Sequence, residues 1–132
     1  MDYLIAYIGT AVVFFGLDFL WLSKLAVNFY KREIGPLMLA KPNFAAAGIF
    51  YLFYIAGIVY FAVMPAVNGD GWSSALVSGA ALGFIAYGTY DMTNLSTLKG
   101  WSWRMCVADI LWGTVLTGLA AVAGFWLVSV LA

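Results

Sequence analysis

The sequence predicts an all-α integral membrane protein, a four-helix bundle with short loops and both chain ends on the outer side. Three observations lead there. Of the 132 residues, 65% are hydrophobic and 9% charged, whereas a soluble domain carries about 45–50% and about 25%. The apolar residues form four long continuous runs, not the alternation of barrel strands. All six basic residues fall in two connections between those runs.

Crossing roughly 30 Å of hydrocarbon as a helix takes about 20 residues. The runs 3–23, 44–64, 74–93 and 105–130 meet that length and make one transmembrane domain over 1–132. In the first connection, Lys24 to Asn43, helix 1 is expected to continue for two turns until Gly35-Pro36 stops it. Pro42 suits the head of span 2. Asn68-Gly69-Asp70-Gly71 reads as a tight turn, with Ser73 or Ser74 placed to cap span 3. The N-terminus begins Met-Asp without a basic run, so it is expected to stay in the mature protein.

Orientation follows from charge. Lys24, Lys31, Arg32 and Lys41 lie in the first connection, Lys99 and Arg104 in the third. Basic loops stay in the cytoplasm, which places both termini and the Asp70 turn in the periplasm. Trp101 and Trp103 then mark the inner interface, Trp72 and Trp126 the outer one.

Composition also narrows the chemistry. Formal net charge is zero, so no electrostatic case exists for a nucleic-acid partner. There is no histidine, which excludes an imidazole-based zinc or haem site, and no metal or cofactor is expected. The single cysteine, Cys106, cannot form an intrachain disulfide and reads as a small packing residue.

Three of the six acidic residues lie within spans: Asp18, Asp91 and Asp109. Each falls roughly 7 to 12 Å of helix from the nearest basic residue, counted at 1.5 Å per residue. Three helices therefore bring a carboxylate to one level, in the cytoplasmic half of the bilayer. Span 2 offers Tyr51 and Tyr54 at a similar depth. Intramembrane carboxylates face a bundle interior or a water-filled cavity, and clustered ones repel until one takes a proton. The bland alternative pairs Asp91 or Asp109 with Arg104 or Lys99 and makes Asp18 interhelical glue.

Around these aspartates the pattern D-x-L-W occurs twice, at Asp18 to Trp21 and at Asp109 to Trp112. The i, i+3 spacing sets carboxylate and indole on one helix face. Because the two helices run antiparallel, Trp21 and Trp112 are placed to line a pocket from rim to floor. Tyr87, Thr93 and Asn94 supply neutral ligands beside Asp91. Gly79-x-x-x-Gly83 lets another backbone come close, either within the chain or across a homodimer.

The run Tyr90-Asp91-Met92-Thr93-Asn94-Leu95-Ser96-Thr97-Leu98-Lys99-Gly100-Trp101 resembles a bacterial family of small four-span inner-membrane proteins grouped only as a domain of unknown function. The resemblance extends over the whole chain, through Asp18–Trp21 and Asp109-Ile110-Leu111-Trp112-Gly113. It implies a bacterial cytoplasmic-membrane protein among membrane lipids, and it supplies no activity to carry over.

Three functions stay open from the residues. A proton-coupled carrier or cation pathway would use Asp91 and Asp109 as carriers, with Asp18 completing the pocket. A lipid-acting enzyme or enzyme subunit would use one aspartate as general base, although no nucleophile or nucleotide motif names a reaction. A structural or accessory subunit would use the polar run for docking.

Overall fold

The computed structural model describes the backbone of residues 1–132 and every side chain except that at position 70. Four long helices run up and down, with one short helix in the first connection. They are α1 (Asp2–Leu20), α2 (Val27–Ile34), α3 (Phe44–Ile58), α4 (Trp72–Thr97) and α5 (Trp103–Leu131). No strand occurs among the described residues. Helix α1 is prolonged by a π-helical turn, Trp21–Leu25, before the chain bends at Ala26 and continues as α2. Gly35–Leu37, with Pro36 early in a 3₁₀ turn, ends α2 where expected.

Three helical stretches are long and apolar enough to cross a membrane: Asp2–Leu25, Phe44–Gly69 and Trp103–Leu131. Helix α4 has 26 residues but is more polar. Its glycines, serines and threonines lower its hydropathy while its outer face still exposes Val77, Phe84 and Ile85. Val12, Phe53, Phe61 and Val115 are likewise exposed on the other long helices. A soluble protein would not present apolar side chains on every side.

The second long helix continues past Met64. Pro65 adopts helical φ (−58°) between two π-helical turns, Val59–Val63 and Ala66–Asp70. Proline removes one backbone donor and crowds the carbonyl four residues back; the wider π turn relieves that crowding. The Asn68 to Gly71 stretch is thus a helix end, with Gly71 in the left-handed region (φ 81°). Gly71 is also the N-cap of α4 and no side chain caps that end, so Ser73 and Ser74 lie inside the helix. At α3 the cap is Asn43, whose side chain accepts from the Ala46 amide at 3.1 Å, and Pro42 precedes it.

Helix α5 is the centre of the bundle and packs against α1, α4 and the π-helical continuation of α3. Lipid supplies little hydrophobic force between helices, so close packing through small residues holds them. A methyl added at Gly79 would lie 2.8 Å from the Ala121 Cβ, and one at Gly83 would collide with the Gly113 carbonyl oxygen. Gly79 and Gly83 thus make a close contact within the chain, against α5. Larger apolar side chains complete the interior: Phe14 from α1, Ile55, Ile58 and Val63 from the second long helix, Leu116 from α5.

Both basic connections lie at one end of the bundle. Tyr30 of α2 bonds to Asp109 of α5, and Glu33 of α2 bonds to Ser102, the N-cap of α5. Helix α3 touches α1 but approaches α4 closely only along its π-helical continuation, with the Tyr54 and Tyr87 rings meeting across the gap. That separation opens a cleft at the basic end.

Candidate functional site: an acidic cleft lined with tyrosines

The cleft has a volume of about 540 Å³ and takes side chains from all five helices. Asp18 and Asp109 line it, as do the five tyrosines Tyr30, Tyr51, Tyr54, Tyr87 and Tyr90. Leu22, Ile34, Ala46, Ala47, Phe50, Ala86 and Met105 complete the wall. No basic side chain belongs to it.

Asp18 sits near the end of α1, 7% exposed, and accepts from the Trp112 indole at 3.1 Å. Asp109 accepts from the Tyr30 hydroxyl at 2.8 Å, and that hydroxyl accepts from the Trp21 indole at 2.9 Å. Trp21 and Trp112 stack with centroids 4.5 Å apart and planes 7° from parallel. The two D-x-L-W segments thus interlock: one tryptophan serves the aspartate of the other segment directly, and its counterpart does so through Tyr30. The indole pair does not line the cleft from rim to floor. Neither indole lines the cleft; the pair edges a separate shallow groove with Ala108, Leu111 and Val115.

Asp91 is placed differently. It is fully buried, lies outside the cleft, and neither carboxyl oxygen has a hydrogen-bond donor among the described residues. Its carboxyl lies near enough to that of Asp109 for the two to interact electrostatically. The three carboxylates therefore form a chain of neighbours, with Asp109 between Asp18 on the cleft and Asp91 behind. Pairing with Lys99 or Arg104 does not occur: the ion pair found among the described residues is Arg32–Glu33, at 3.8 Å.

The aromatic side of the cleft is built from α1, α3 and α4. Phe14 packs edge-on against Tyr51 and Tyr54 at 5.5 and 5.6 Å, and Tyr54 lies 6.4 Å from Tyr87. Tyr87 fits because residue 113 is glycine; a Cβ there would run into the tyrosine ring. The Tyr54 hydroxyl bonds to Thr117 at 2.9 Å. Tyr51 and Tyr87 make no hydroxyl hydrogen bond to the described residues, leaving two polar tips free in the cleft.

Thr93 and Asn94 do not reach this site. Helix α4 runs on through the polar segment to Thr97, leaving Thr93 exposed and Asn94 half-buried. The hydroxyls of Ser96 and Thr97 bond back to the carbonyls of Met92 and Thr93 at 2.7 and 2.8 Å. This back-bonding satisfies the run locally.

Sequence reasoning missed Tyr30 and Tyr90. Helix α2, VNFYKREI, is amphipathic, and Tyr30 and Ile34 on its inward side close the basic end of the cleft. Tyr30 lies outside the spans, and burial, then the Asp109 charge, push its phenol well above the usual range. The signal was the amphipathic pattern in the first connection; the partner it finds is 79 residues away.

A family model described as a predicted membrane protein, DUF2177, matches residues 3–126. No curated protein and no solved structure matches the chain.

Proposed function

We propose, for a chain that belongs to the DUF2177 family of predicted membrane proteins, that it exchanges protons for a cationic small molecule in the acidic cleft and acts as a proton-coupled carrier. What supports this is a charge imbalance: Asp18 and Asp109 line a cavity that no basic side chain enters. Taking carboxylates out of water is costly unless a counter-charge accompanies them. Before a cation arrives that role falls to a proton on the carboxylate cluster, because neighbouring carboxylates do not readily all ionise. A cation arriving at Asp18 and Asp109 takes over that role and releases the proton.

All four long helices cross the bilayer in this reading, α4 with its polar face turned to α5. The basic connections lie in the cytoplasm of a bacterial inner membrane, so the cleft opens in the inner half of the bilayer and the termini are periplasmic. An accessory subunit would need its carboxylates paired off and no cavity.

The test uses proteoliposomes with an imposed pH gradient and an entrapped pH dye, challenged with a panel of cations. Wild type is expected to show cation-stimulated proton movement, and Asp91→Asn and Asp109→Asn to abolish it while still inserting. Normal proton movement in both variants would remove the carrier reading.

A further inference from the structure

The walls of the cleft say more about its ligand than the carboxylates do. Resting on the cation-exchange reading above, we infer that the ligand is an amphiphilic organic ammonium: a positively charged nitrogen carrying a hydrocarbon body, admitted from the lipid side.

Three independent features support that class. The first is size: about 540 Å³ lies within the roughly 300–1,000 Å³ of cavities that enclose drug-sized ligands, and a bare ion would leave it mostly unfilled. The second is lining. Tyrosine rings and apolar side chains dominate, and aromatic faces attract organic cations at about 6 Å or less from the ring centroid. Asp18 and Asp109, with no third His, Cys, Asp or Glu beside them in metal-binding array among the described residues, suit a diffuse charge. The free Tyr51 and Tyr87 hydroxyls add acceptors for an N–H, where the nitrogen carries one. The third is the rim. Leu22, Phe50 and Tyr90 border the cleft and are 44%, 63% and 55% exposed on the surface of the bundle. A strongly hydrated ion would meet an apolar mouth there, whereas a hydrocarbon body would pass from lipid into it. The aqueous end is covered by α2, held by the Tyr30 and Glu33 hydrogen bonds.

Free amphiphilic amines and the amine headgroup of a phospholipid share this chemistry, and binding measurements separate them. The full-length protein in phosphatidylglycerol nanodiscs, corrected with empty discs, is titrated with benzyltributylammonium, tetramethylammonium, sodium and the uncharged amphiphile N,N-dibutylbenzamide. Benzyltributylammonium is expected to bind saturably, at least about tenfold more tightly than the other three, and to release protons on binding. Asp109→Asn should weaken it at least about tenfold. Ala47→Trp, which fills an exposed part of the cleft wall and leaves every carboxylate in place, should block it if the variant retains the wild-type helical content and elution. Repeating the titration with phosphatidylethanolamine in the discs assigns the source: weakened binding means that the lipid amine occupies the cleft, and unchanged binding means a free amine.

Equal affinity for tetramethylammonium or sodium, with proton release intact, would overturn the amphiphile and leave cation exchange standing. Equal affinity for the uncharged benzamide, with no proton release for any cation, would overturn both.

Discussion

The indoles of Trp21 and Trp112 stack face to face at 4.5 Å, and each donates toward the aspartate that begins the other's segment. Trp112 reaches Asp18 directly, and Trp21 reaches Asp109 through the Tyr30 hydroxyl. The arrangement ties the end of α1 to α5 and fixes two cleft carboxylates with neutral donors. No basic side chain lines the cleft to pair with either carboxylate.

This pair should behave as a unit. Trp21→Phe and Trp112→Phe are each expected to lower thermal stability in detergent, since each loses an indole hydrogen bond worth about 0.5–1.5 kcal/mol. In a double-mutant cycle the two should couple by about 0.5–1.5 kcal/mol, the range for aromatic pairs. Strict additivity would show that the stack carries no energy.

The glycines of the α4–α5 contact are expected to separate sharply from those on open faces. Gly83→Ala and Gly113→Ala place a methyl against the Gly113 carbonyl and the Tyr87 ring, and overpacking of this kind costs about 1–3 kcal/mol or more. Gly88→Ala, with open space around it, should be neutral or stabilise by up to about 1 kcal/mol. Melting temperatures of the three variants in one detergent check the order.

Tyr30 makes the docking of α2 sensitive to alkali. Its phenol is raised in the folded protein, so its contribution is complete below the unfolded value of about 10. As pH rises above that value toward the folded one, the contribution is lost. Hydrogen exchange of Val27–Ile34 should therefore accelerate above about pH 10. Tyr30→Phe, lacking the titrating hydroxyl, should show faster exchange at neutral pH and less further change with alkali.

Ser102 accepts from the Met105 amide at 3.2 Å and donates to Glu33. Ser102→Ala removes a helix cap worth about 1 kcal/mol together with the hold on α2. Increased exchange in both α2 and the first turn of α5 is expected. Glu33→Ala should loosen α2 and leave the α5 cap intact.

Substitutions in the polar run should matter little. Thr93 is exposed and outside the cleft, so Thr93→Val is expected within about ±0.5 kcal/mol of wild type. Its binding of benzyltributylammonium should equal that of wild type.

Much of this protein was legible in one dimension. A long apolar run has few alternatives to a helix when its backbone groups must be satisfied without water, which is why the four long helices fall close to their expected bounds. Asp18 and Asp109, set at one level by counting 1.5 Å per residue from the basic connections, line one cleft in the folded chain. Depth is one coordinate, however, and it does not tell which way a side chain turns about its helix. Asp91 shares that depth yet turns away from the cleft toward Asp109, and Thr93 and Asn94 share its helix end yet miss the site. Tyr30, 79 positions before Asp109 in the chain, became its partner through the bend at Ala26. The chain alone determined which residues form the long apolar helices. Only close packing of α5 against its neighbours, through glycines at 79, 83 and 113, decided which of those residues share one cavity.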